Sequence, residues 1–92
     1  MIRRTVPVGS FLVHVRANSF GEWALRVEPG ALQVDNYHSR GHVPHVHLPG
    51  AVRKPVDVGA VTLEWALKVI CRHLATHGLS NLPALVEELR TQ

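Results

Sequence analysis

The chain contains one cysteine, Cys71, which excludes a disulfide framework and a thiolate zinc site. It also lacks a long apolar run. Charge interrupts the apolar stretches within a few residues, so no segment approaches the roughly 20 residues needed to cross a bilayer. The stretch Met1-Ile2-Arg3-Arg4-Thr5 is not followed by an apolar core with a small-residue cleavage site and does not read as a secretory signal. Repeats, low-complexity tracts and linkers are missing as well. Together these absences predict a protein of the cytoplasm without a membrane partner.

What is present reads as a single domain over residues 1–92, with 46% hydrophobic and 18% charged residues, a globular and not a disordered balance. A domain this small buries only roughly 60–65% of its unfolded surface, which makes a homodimer a natural source of extra stability. The formal charge is +3 with the seven histidines neutral. That balance favours anionic partners such as nucleic acid or an acidic protein, although the arginines and lysines are scattered and form no stripe.

The hydrophobic period changes along the chain. Phe11, Val13 and Val15 alternate with Leu12, His14 and Arg16; Trp23, Leu25 and Val27 alternate with Ala24, Arg26 and Glu28. Leu32 and Val34 then alternate with Gln33, Asp35 and Tyr37, and Pro44, Val46 and Leu48 with His45 and His47. Short connections such as Pro29-Gly30 punctuate the runs. Period two with short turns predicts an antiparallel meander of four strands, within residues of about 5–58. From Val61 the period is helical, with two helices within residues of about 62–90. Thr62 is placed to cap the first and Gly78 to end it, with Leu63, Ala66, Leu67, Ile70 and Leu74 on one stripe. Asn81 is placed to cap the second, with Leu82, Leu85, Val86 and Leu89 as its stripe. The predicted fold is therefore α+β, a four-stranded antiparallel sheet with both C-terminal helices packed on one face. The other face is left polar and open, carrying His14, Arg16, Arg26, Asp35, Tyr37, His45 and His47.

Chemistry concentrates in one segment. His38, His42, His45 and His47 lie within ten residues, denser than a scaffold requires. On a strand, His45 and His47 project to the same side. Two imidazoles so placed suit a metal, zinc or iron, with His42, His38 or Asp35 as third ligand. They equally suit a general base beside a general acid, or a solvated surface with no chemistry. Although His-x-His also opens the metal motif of cupin barrels, the stretch from Leu48 to Lys54 supplies no carboxylate. A metal-free variant treats the face as ribonuclease-like: His45 and His47 transfer protons, Tyr37 bonds or stacks, and Arg40, Arg26 and Arg16 clamp phosphate. The second pair, His73 and His77, lacks the glutamate of a helical zinc clamp and reads as structural, at the edge of the helix stripe. A binding module without turnover, using the polar face or the side of the helix bearing Trp65, is a further alternative.

The order Asp35-Asn36, His38, Pro44-His45-Val46-His47, Pro49-Gly50 and Pro55 resembles the core of the TumE-like toxins of toxin–antitoxin pairs. Gln33 and Val34 stand where an arginine usually precedes the Asp-Asn pair in that family. The resemblance implies an intracellular toxin acting on RNA, an endoribonuclease with Asp35, His38, His45 and His47 among its site residues. It also implies neutralisation by an acidic or DNA-binding antitoxin.

Overall fold

The computed structural model describes residues 1–37, 40–50 and 54–92. Candidate His38 and the side chain of candidate Arg40 lie outside the described residues. The chain folds as an α+β unit of one open antiparallel sheet and two C-terminal helices. The strands are β1 (Ile2–Val8), β2 (Phe11–Ala17), β3 (Trp23–Glu28), β4 (Leu32–Asp35), β5 (His45–His47) and β6 (Val56–Asp57), each paired with its neighbour in chain order. The helices are α1 (Leu63–His77) and α2 (Leu82–Leu89). Neither is long and apolar enough to cross a membrane.

Alternation in the sequence sets which side of the sheet is buried under the helices. Val13, Val15, Trp23, Leu25, Val27, Leu32, Val34 and Val46 form one core with Ala66, Val69, Ile70, Leu74, Leu85, Val86 and Leu89. Each fully buried aliphatic side chain contributes about 1.5–3 kcal/mol. The two helices thus cover one face, as the period predicts.

Six strands replace the predicted four. The two missed strands are the sheet edges. β1 is exposed over its first four residues and so shows little hydrophobic alternation, and Pro7 reads against a strand although an edge tolerates it. β6 is two residues long, too short to show a period. The α1 stripe is also rotated from the predicted one. Val69 and His73 are buried with Ala66, Ile70 and Leu74, while Leu63 and Leu67 are only partly covered.

The local signals act as physical chemistry requires. Thr62 Oγ1 accepts from Trp65 N at 3.2 Å, satisfying one of the orphan donors of the first turn. Asn81 precedes α2 but makes no side-chain cap bond; its carbonyl takes Ala84 N and Leu85 N instead. Trp65 Nε1 donates to Leu89 O at 3.2 Å, so its indole ties α1 to α2. In the β3–β4 turn, Gly30 has φ +109°, and a Cβ there would lie 2.0 Å from Leu79 Cδ1. The backbone angle calls for glycine, and a Cβ would also have to displace the Leu79 methyl.

Candidate metal centre and the arginine-lined cleft

Register places the site. Arg16 of β2 faces Ala24 of β3, which faces Asp35 of β4, then His45 of β5 and Asp57 of β6. In the next row His14, Arg26, Gln33 and His47 face one another across β2 to β5. Both rows lie on the face away from the aliphatic core, because side chains alternate along each strand. Asn36 fastens the end of β4: it accepts from Trp23 N at 2.8 Å and donates through Nδ2 to Gly21 O at 2.9 Å. That clamp fixes the backbone from which Asp35 projects.

Asp35, His45 and His47 converge. Their ligand-capable atoms all lie within 4.8 Å of one another. His45 Nε2 is 3.1 Å from Asp35 Oδ1 and His47 Nε2 is 3.5 Å from Asp35 Oδ2. The two rings meet edge to face at 4.8 Å. The face expected to be open is closed at this point, with Asp35 at 0% and His45 at 3% exposure. His47 alone reaches the surface, its side chain 43% exposed.

The hydrogen bonds constrain the chemistry. His45 Nδ1 is 2.9 Å from Val43 O. A carbonyl only accepts, so Nδ1 carries the proton and donates. The other ring nitrogen, Nε2, is the one that faces the Asp35 carboxylate. Asp35 Oδ2 is satisfied by Gln33 Nε2 at 2.5 Å. Asp35 Oδ1 is buried with no hydrogen-bond partner among the described residues. The 3.1 Å approach of His45 is thus an ion-pair distance without hydrogen-bond geometry. A buried carboxylate oxygen without a hydrogen bond is costly. A cation held by Asp35 together with His45 offsets that cost. Ligands on one ion at bonds of about 2.0–2.2 Å stand roughly 3–3.5 Å apart. The two Asp35 contacts, at 3.1 and 3.5 Å, fall in that range, and the ligand-capable atoms of the three residues lie within 4.8 Å of one another. The partners behind the ligands also fit: a metal-binding histidine donates its other nitrogen to a carbonyl, and a ligating carboxylate is itself hydrogen-bonded.

The other candidates divide. His42 lies in the short turn Arg40–His42 at φ +58°, exposed, and is not part of this cluster. Tyr37 is partly buried with the Arg16 guanidinium 4.9 Å above its ring, a cation–π contact. Arg26 bonds Glu28 Oε1 at 2.5 Å. Arg16 and Arg26 do share a cavity of about 640 Å³ whose lining also includes Arg3, Thr5, His14 and Gln33. Sequence reasoning missed Arg3 because it missed β1, and it missed Gln33 because an amide carries no signal until its partner is known. His73 is 5% exposed and donates through Nε2 to Ser80 O at 2.7 Å; His77 is exposed beside it.

In comparisons with known proteins, the chain matches no family model, no curated protein and no solved structure.

Proposed function

We propose that this chain is a small metal-binding protein in which Asp35, His45 and His47 hold one divalent transition-metal ion. The observation that carries this reading is the buried Asp35 carboxylate, one oxygen of which lacks a hydrogen bond among the described residues, with His45 Nε2 and His47 Nε2 converging on the carboxylate. Nitrogen and oxygen donors without thiolate suit zinc or ferrous iron. Three protein ligands leave positions for water or substrate, the pattern of catalytic sites. A metal there would supply Lewis acidity and an activated water. The chain's own part is to orient and admit: Val43 O fixes the His45 ring, Gln33 fixes Asp35, and exposed His47 marks the side from which a ligand enters. Elemental analysis of protein purified without a histidine tag tests the reading. One zinc or iron per chain, lost in the double variant His45→Ala/His47→Ala, is the expected result. Metal-free protein that also fails to take up added zinc or ferrous ion contradicts it.

A second reading keeps the toxin resemblance: an endoribonuclease in which His45 and His47 transfer protons without metal, paired in the cell with an antitoxin. It is favoured by the contact of one carboxylate with both imidazoles, since a carboxylate also orients a proton-transferring histidine. RNA cleavage that persists in a chelator would select it over the metal reading.

A further inference from the structure

We infer that the cleft over β1–β3 is a phosphate subsite, and that its ligand is a phosphorylated small molecule held by Arg3 and Arg16. The two arginines are direct cross-strand partners and therefore share a face. Like charges directly opposite on neighbouring strands destabilise a sheet. Among the described residues neither has a carboxylate partner, whereas Arg26, Arg72 and Arg90 each do. An anion between Arg3 and Arg16 removes the repulsion and takes up guanidinium donors whose fork matches a phosphate. Thr5, the residue opposite His14 in the next row, adds a hydroxyl to the same cavity lining.

The size of the cleft, and the lack of a cationic track leading on from it among the described residues, favour a small ligand over a polymer. The cavity, about 640 Å³, falls within the range of small-molecule sites. A single-stranded nucleic acid needs a groove of cations that tracks its backbone. Arg3, Arg4, Arg16 and Arg26 gather in this one cleft, while Lys68 and Arg72 are on α1 and Arg90 follows α2, the elements that cover the opposite face. The described cations therefore do not continue the cleft as a track.

The position also says which end of the ligand is bound. Arg16 and Asp35 occupy one row with Ala24 between them, so their backbones are about 10 Å apart. A phosphate on the arginines is a handle, and the part of the ligand that reaches His47 is its other end. Gln33 lines the cleft and bonds Asp35, so the cleft wall runs into the proposed metal centre. The handle role rests on that centre; the phosphate subsite does not.

Calorimetric titration of the full chain with inorganic phosphate, adenosine 5′-monophosphate and a six-nucleotide RNA tests the assignment. Wild type should bind the first two, the nucleotide more tightly, and the double variant Arg3→Gln/Arg16→Gln should weaken both by about tenfold or more. The control Lys54→Gln/Lys68→Gln removes as much charge elsewhere and should change affinity less than about threefold. Circular dichroism melts confirm that each variant is folded. His45→Ala/His47→Ala should still bind inorganic phosphate, so a failed metal titration leaves the subsite standing. Unchanged affinity in Arg3→Gln/Arg16→Gln, or an equal loss in the lysine control, overturns the subsite. RNA binding far tighter than the nucleotide through the same arginines overturns the small-molecule assignment.

Discussion

The two histidine pairs, His45/His47 and His73/His77, share a ring spacing and a buried, carbonyl-bonded ring but differ in the features that confer chemistry. Their rings sit 4.8 and 4.9 Å apart. In each, one ring is buried and bonded to a backbone carbonyl, Val43 O or Ser80 O, while the other is at least partly exposed. The pairs differ in which nitrogen is used. His73 spends Nε2, its far tip, on Ser80 O and so ties the end of α1 to the loop that follows. His45 spends Nδ1 and leaves Nε2 beside Asp35. They differ also in having a buried carboxylate: Asp35 touches both rings of the first pair. Histidine density alone does not make a site; a buried carboxylate facing both rings does.

The comparison can be broken most decisively at the metal ligands. Asp35→Asn keeps the shape and removes the charge. Metal affinity should fall by more than the roughly 10- to 100-fold typical of losing an outer partner, as read by zinc titration. His73→Ala should leave metal binding intact and cost about 2–4 kcal/mol of stability, from the cavity and the unsatisfied Ser80 carbonyl, measured by urea denaturation. If His73→Ala abolishes metal binding and Asp35→Asn does not, the two pairs have been assigned the wrong way round.

Smaller effects sharpen it. Asn36→Ala removes the clamp behind Asp35; stability should drop by about 1–3 kcal/mol and metal affinity by roughly tenfold, the low end of an outer-partner loss. The smallest effect concerns Cys71, on α1 near the second pair. Burial pushes its thiol pKa up, partly opposed by Arg4, so the folded chain holds this proton at pH values where an unfolded cysteine begins to ionise. Its contribution to stability is therefore present at lower pH and lost as pH rises through the folded value. Alkylation at mildly alkaline pH should be slow in the folded chain and speed up in denaturant, and Cys71→Ser should leave metal stoichiometry unchanged.

The sequence shows the half-buried strands and both helices because Val13, Val15, Leu25, Val27, Leu32 and Val34 alternate and Thr62 and Gly78 punctuate. It does not show β1, whose first four residues are exposed, and with β1 it hides the facing of Arg3 and Arg16. The common face of Asp35, His45 and His47 is legible from period two. Its closure is not, because the burial of Asp35 and His45 depends on which segments meet over them and not on any local pattern. Nor is the choice of nitrogen in His45, which depends on where the Val43 carbonyl points after the turn.

The most direct test of the metal centre is a cobalt(II) titration of the untagged chain, followed by visible absorption and set beside the same titration of His45→Ala/His47→Ala and His73→Ala/His77→Ala. The account predicts saturation at one equivalent in wild type and in the helical double variant, and no ligand-field bands in His45→Ala/His47→Ala. Bands that survive in His45→Ala/His47→Ala, or that never appear in wild type, would contradict it.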